Sequence, residues 1–399
     1  MPPWKRGKNA PAASGRDGFD ALPDGVLEHI LGFLPAPEAV GTCVLARRWR
    51  HLWKSATGLR IRCTGDDSSD EEEVEWAGLM KRQGFVDHLM GLRGRAPLES
   101  FELVFCRFHY DEDMDCLNRW VEHAVKCQVR MLRIENIDQH HFGQLEDQPL
   151  VSPYLARLEI VGLALETNFN DLSSCPSLEH LEITDCNFFS AQKISSQSLK
   201  HLIVSNSILG SHKVAVHFCV PSLVSLHLEG HFSKAPVFRS MPSLEDAFVR
   251  VAHRHKAENL ALVFVPITFT FNMEMKHCPT FRKLKSLLLN DFWCVPPDFH
   301  ALTWMLKHSP VLQKLTLQLS EGPQHKLGIK GRRNPSEISA AILGNLKIVE
   351  VKCEVVDERV FKILKFLATL GIHKLTSNTL HMHETKNVMI EILSSIEKS

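Results

Sequence analysis

The sequence predicts an α/β protein in which a short helical module is followed by a curved solenoid with one parallel sheet. Two observations carry this. A six-residue phrase, apolar-x-x-apolar-x-apolar, returns ten times from residue 98 onward. Ahead of it, residues 22–53 place apolar side chains at helical spacing, with breaks at Pro35 and Pro37.

Residues 1–18 are polar and rich in Pro, Gly and Ala, and they read as a disordered tail. Lys5, Arg6 and Lys8 there make a weak nuclear signal or, more simply, part of a solvated tail. The module spans 19–56. Pro23 suits a first helical turn, where its missing N–H costs nothing. Leu27, Ile30, Leu31 and Leu34 follow at i, i+3, i+4, i+7, and Val26 and Phe33 widen the stripe. A second helix starts at Pro37 and Glu38. A third is expected to put Leu45, Trp49, Leu52 and Trp53 on one face, with Arg47, Arg48 and Arg50 largely off it. A unit this small rarely stabilises itself, so its surplus apolar surface must dock on the repeats or on another protein. A basic, aromatic nucleic-acid patch at LARRWRHLW (45–53) is the weaker alternative.

Residues 57–97 read as an acidic loop and a linker with a helix. GDDSSDEEEVE (65–75) repels itself and buries nothing.

The repeats occupy 98–320. Their central copies begin at Leu155, Leu178, Leu199, Leu223 and Leu244, at intervals of 23, 21, 24 and 21 residues. That period falls in the leucine-rich-repeat range. Outer copies start at Leu98, Val129, Leu284, Leu312 and Leu346, with larger insertions between them. The interval from 244 to 284 holds either a degenerate copy, LALVFV from Leu260, or a loop. In each phrase the last two apolar positions, such as Leu181 and Ile183, point to one face of a strand. One repeat cannot bury that face alone, whereas stacked repeats share a core. The residues between core positions then line a concave surface. They include His180, Glu182, Thr184, His201, Ile203, Ser205, Ser225, His227 and Glu229. Of these, His180, Glu182, Thr184, His201, Ser205, His227 and Glu229 are the candidate target-binding residues, with an ordinary solvated sheet face as the equal alternative. The copy from Leu244 carries Ala247 where leucine is expected.

Two insertions read as helices. One places Leu117, Trp120, Val121, Ala124 and Val125 at helical spacing. The other runs from Asp357 through Val360, Phe361, Leu364 and Leu367 to Gly371. Residues 321–399 hold a basic loop (Lys326, Lys330, Arg332, Arg333), a last repeat and a terminal cap with Met389, Ile392, Leu393 and Ile396. The loop reads as a surface insertion, and an anionic ligand for it is the less favoured alternative.

Lys plus Arg equals Asp plus Glu at 46 each, which argues against a phosphate-clamping protein. The 11 cysteines are odd in number and form no Cys-x-x-Cys, so buried thiols in a reducing compartment are expected. LALVFVPITFTF (260–271) is too short to span a bilayer and is broken by Pro266. The start carries no secretory pattern, so a soluble intracellular protein is expected. His253-x-His255 and His381-x-His383 have metal-compatible spacing but no completing cluster, and no metal, cofactor or catalytic motif is expected.

LPDGVLEHILGFLPAPEAVGTCVLARRWRHLW resembles the F-box motif, in the wording of plant F-box proteins. Leu22, Pro23, Ile30, Leu31, Leu34, Val44, Trp49, Leu52 and Trp53 stand at the family's spacings. Gly25 departs from it. The rest resembles plant F-box/leucine-rich-repeat proteins, and 284–319 with LKIVEV resembles their FBD-type region. The resemblance implies a non-catalytic substrate adaptor of a Skp–cullin–F-box ubiquitin ligase, in the nucleus, the cytoplasm or both. It assigns those nine residues to the Skp adaptor, or else to the core of the module, and the repeats to a protein target. The alternatives are a ligand-sensing receptor of the same family and a repeat scaffold without ligase function. No membrane or direct nucleic-acid partner is expected.

Overall fold

The computed structural model describes residues 19–63, 72–106, 111–138, 141–166, 168–188, 193–210, 215–232, 236–251, 280–290, 293–294, 299–319, 345–353, 358–370 and 375–376. The readings of the tail 1–18, of LALVFV, of the basic loop, of both histidine pairs and of the stretch from Met389 lie outside these residues.

The main sheet follows chain order. Its strands are β1 (Gly58–Cys63), β2 (Ser100–Phe105), β3 (Met131–Asn136), the short β4 (Gly143–Gln144), β5 (Arg157–Val161), the short β6 (Leu163–Ala164), β7 (His180–Thr184) and the short β8 (Asn187–Phe188). After β9 (Lys193–Ser195) come β10 (His201–Leu209), β11 (His217–Cys219), β12 (Ser225–Phe232), β13 (Val237–Arg239), β14 (Asp246–Val251), β15 (Ser286–Asn290), β16 (Lys314–Leu319), β17 (Ile348–Cys353) and β18 (Leu375–Thr376). The long strands pair β1-β2-β3-β5-β7-β10-β12-β14-β15-β16-β17-β18, all parallel, while β9, β11 and β13 form a second, three-stranded parallel sheet.

Every one of the ten phrases becomes a strand that starts two residues after its leading apolar residue. The register aligns the phrases: Leu181 and Ile183 lie between Leu158 and Ile160 on one side and Leu202 and Val204 on the other. These rows are the core, buried as repeats of the stack require. The β7 repeat continues to Cys186 and Phe188, both fully buried. Burial pushes the Cys186 thiol up to about 12, so it behaves as a small hydrophobe.

β14 pairs directly with β15, Asp246 to Val249 opposite Ser286 to Leu289, so the repeats beginning at Leu244 and Leu284 are neighbours in the sheet.

The linker assignment for 57–97 needs correction. The sheet begins at β1, paired along its whole length with β2. Its sequence, Ala56-x-x-Leu59-x-Ile61, is the same phrase with alanine in the leading place, and Ala56, Leu59 and Ile61 are buried. The end of the acidic run is helical as well. α3 (Glu72–Arg93) begins within that run. Residues 64–71 are outside the described set.

α4 (Asp111–Lys126) buries Leu117, Trp120, Val121 and Ala124 as its spacing predicts. The indole of Trp120 donates to Asp87 of α3 at 2.7 Å. α5 (His300–Lys307) buries Leu302 and Leu306, and α6 (Glu358–Thr369) buries Val360, Leu364 and Leu367. Phe361, expected on the buried face of α6, is exposed.

The helical module covers the open edge of β1. α1 (Asp24–Leu31) and α2 (Ala36–Gly41) form as expected. Pro35 bridges to Arg60, and Thr57 N–H donates to the Glu28 carbonyl. Covering an edge strand and capping a repeat stack are the same act here. The join is a backbone contact: a Cβ on Gly58 would lie 2.5 Å from the Gly32 oxygen, and one on Gly32 would lie 2.5 Å from the Gly58 nitrogen. Neither partner atom is a side chain that can swing aside. Gly58→Val is therefore expected to cost about 2–3 kcal/mol of overpacking strain. Chemical denaturation checks this, and an unchanged midpoint would contradict the contact.

Candidate functional site

Two surfaces stand out, the exposed side of the helical module and the concave face of the sheet. In the module, the expected third helix is replaced by short 3-10 turns at Thr42–Val44, Arg47–Arg50 and Leu52–Ser55. The break is at Ala46, whose backbone is fully extended. It turns Leu45 out, away from the tryptophans with which it was expected to share a face.

Leu31, Trp49, Leu52 and Trp53, read as adaptor contacts, are buried in one core with Leu27, Ala56, Leu59 and Ile61. The physical reason is tertiary packing, since the Leu52–Ser55 turn is held between α1 and the end of α3. Arg93 of α3 donates to the carbonyls of Trp53 and Ala56, each at 2.9 Å. Leu22, Ile30 and Leu34 are half-buried, and Pro23 is exposed.

What remains open is Val44, 83% exposed, and Leu45, 69% exposed, with Phe19, Val26 and Phe33 exposed elsewhere on the module. Val44 was among the adaptor candidates; Leu45 was not, though it was expected on one apolar face with Trp49, Leu52 and Trp53. Arg48 does not face outward as its neighbours Arg47 and Arg50 do. Its guanidinium reaches Asp24 at 2.8 and 2.6 Å and also the Leu22 carbonyl, tying the turns to the start of α1. Phe19 lies edge-on to Trp49, with centroids 6.1 Å apart.

On the sheet, strand alternation places the concave candidates as expected. His180, Glu182, Thr184, His201, Ser205, His227 and Glu229 are all half-buried and aligned across β7, β10 and β12. His180 stacks on His201, 4.6 Å between centroids and 11° between planes. Burial, then the neighbouring charges of His201 and Arg157, hold the His180 imidazole below its usual pKa and so neutral at pH 7. His227 stacks on Phe248 at 4.2 Å and 4° and lies 3.7 Å from Glu229, which also meets Arg250 at 3.2 Å.

Toward the first strands the face is a charge network. Glu159 takes Arg157 at 2.5 Å and Arg133 at 2.7 Å, Arg133 also takes Glu135 at 2.9 Å, and Arg157 reaches Glu182 at 3.5 Å. Burial pushes the Glu159 carboxyl up, but the hydrogen bonds and charges of Arg157 and Arg133 outweigh it and hold the group below its ordinary value. Its contribution to stability is therefore complete above the unfolded pKa of about 4.3 and is lost as pH falls through the folded value. The stability gap between wild type and Glu159→Gln should shrink on acidification below about pH 5. Denaturation at a series of pH values measures it, and a pH-independent gap would contradict the pairing.

Among the described residues no group of three His, Cys, Asp or Glu is placed to hold a metal, and no helix is long and apolar enough to cross a membrane.

Residues 19–58 match the F-box domain family. Most of the chain is similar to plant F-box proteins with repeats. An FBD-associated F-box protein of Arabidopsis thaliana is 26% identical over 364 residues, 83% of this chain and 84% of that one. An F-box/FBD/LRR-repeat protein of the same plant is 28% identical, over 84% of this chain and 79% of that one. The meiotic F-box protein MOF of Oryza sativa subsp. japonica is 26% identical, over 84% of this chain and 80% of that one.

Proposed function

From an F-box domain docked on a repeat sheet, we propose that this chain is the substrate-recognition subunit of a Skp–cullin–F-box ubiquitin ligase. The F-box domain and the names of the similar proteins support a ligase adaptor role at the level of the family. The observation that carries the finer reading is the outward pair Val44–Leu45 on a module whose other large apolar residues mostly face the core. A Skp-type adaptor covers that pair and links the chain to a cullin. Pro23 and the half-buried Leu22, Ile30 and Leu34 border the contact, while Leu31, Trp49, Leu52 and Trp53 hold its shape from beneath.

The concave face holds the protein target. The chain performs no bond chemistry in this reading. It raises the effective concentration of target beside the transfer machinery, in cytoplasm or nucleus.

Co-expression tests the proposal. With a Skp-type adaptor the chain is expected to elute as a one-to-one complex; alone, it is expected to stay folded when dilute and to self-associate through the exposed pair as concentration rises. A folded, monodisperse chain that forms no complex with the adaptor would contradict it.

A further inference from the structure

The register of the sheet brings together four residues that lie far apart in sequence. Ile203 stands opposite His227, His227 opposite Phe248, and Phe248 opposite Leu288. All four point to the concave side, since their strand neighbours Leu202, Leu226, Ala247 and Leu287 form the buried row. At about 4.8 Å per strand they make a stripe roughly 14 Å long. Ile203 is 37% exposed, and the stacked rings of His227 and Phe248 give the stripe a flat centre. Met131, Val161 and Ile348 also take concave positions among the described residues, but each stands beside polar or charged cross-strand neighbours, whereas these four are contiguous.

Its border has a sign. From β3 to β14 the concave positions carry Glu135, Glu159, Glu182, Glu229 and Asp246 against Arg133, Arg157 and Arg250. Each of those three guanidiniums is already within 3.5 Å of a carboxylate on the same face. Lys200 and Lys285, beside the strand starts, are engaged by Glu179 and Glu245 at 2.6 and 2.7 Å. Over β3 to β14 carboxylates thus outnumber guanidiniums five to three, and beyond the stripe Lys314 of β16, opposite Ser286, is held by Glu350 at 3.5 Å.

We propose that the stripe Ile203–His227–Phe248–Leu288 is the target-docking site and that it takes a protein segment presenting apolar anchors flanked by lysine or arginine. This deepens the proposed function and rests on it for the biological role of the segment. An aromatic platform excludes water from an inserted apolar side chain, the usual setting of a binding hot spot. The acidic border selects the flanking charge and disfavours acidic segments.

The probe is an array of synthetic peptides, each with a Leu-Phe anchor flanked by Lys, by Glu or by Ser, offered to the full chain purified with its adaptor. The Lys-flanked set is expected to bind, more weakly as ionic strength rises. Ile203→Ser and Leu288→Ser should each weaken binding about tenfold, with adaptor binding and unfolding midpoint unchanged, and Ile203→Val should restore it. Equal binding of the three sets, preference for the Glu-flanked set, absence of binding, or indifference to both substitutions would overturn the proposal. So would a dimer that Ile203→Ser converts to monomer, since a second copy would then be the occupant. If the adaptor fails to co-purify, the ligase reading falls, while peptide binding by the chain alone still decides this one.

Discussion

Replacing Val44 and Leu45 together by aspartate is expected to abolish adaptor binding and leave the fold intact. Both side chains are largely in water in the free chain, so removing them costs the core almost nothing. In the complex each would be covered, and a carboxylate placed there loses its hydration without gaining a partner. The pair should weaken binding by at least about 3 kcal/mol, more than a hundredfold. Isothermal titration with the adaptor measures the loss, and thermal unfolding of the free chain supplies the control. Tight binding by the double variant would remove Val44–Leu45 from the interface.

Trp53→Ala is expected to act in the opposite order. The indole is buried in the core, and the backbone carbonyl of the same residue takes a hydrogen bond from Arg93 of α3. Truncating a buried tryptophan leaves a cavity costing about 3–5 kcal/mol. That is enough to loosen the module, since stabilities of whole domains are only about 5–15 kcal/mol. Adaptor binding should fall too, but only with the fold: a lowered unfolding midpoint and recovery of binding on cooling are expected. A variant that unfolds normally yet fails to bind would make Trp53 a direct contact. Loss of binding alone, without an unfolding curve, separates neither case for Trp49, Leu52 or Leu31.

The contrast between these two substitutions locates what sequence reading reaches. Each repeat phrase is local: two apolar residues two apart mark a strand wherever they occur, and all ten strands so marked are present. β1 escaped because Ala56 fills the leading place that leucine takes in nine of the ten phrases; the alternation Leu59, Ile61, Cys63 was its remaining signal. Helical spacing put Leu45 on one face with Trp49, Leu52 and Trp53, and only the last three share the core. It did not reveal that Ala46 is extended, a conformation fixed by tertiary ties such as Arg48 to Asp24. Nor does spacing say what covers an apolar face. The tryptophans are buried in this chain's own core, while Val44 and Leu45 are exposed.

The concave candidates were legible for the same local reason as the core rows, since the residues between two inward leucines must point the other way. The charge network and the apolar stripe were not. Ile203, Phe248 and Leu288 become neighbours only through parallel register, and Glu159 becomes a shared acceptor only when β3 and β5 stand side by side.

Hydrogen exchange on the full chain, free and bound to a Skp-type adaptor, tests the central claim most directly. The account predicts new protection at the backbone amides of residues 42–46, with the concave strands β7 to β15 unchanged. Protection confined to those strands, or none within residues 19–58, would contradict it.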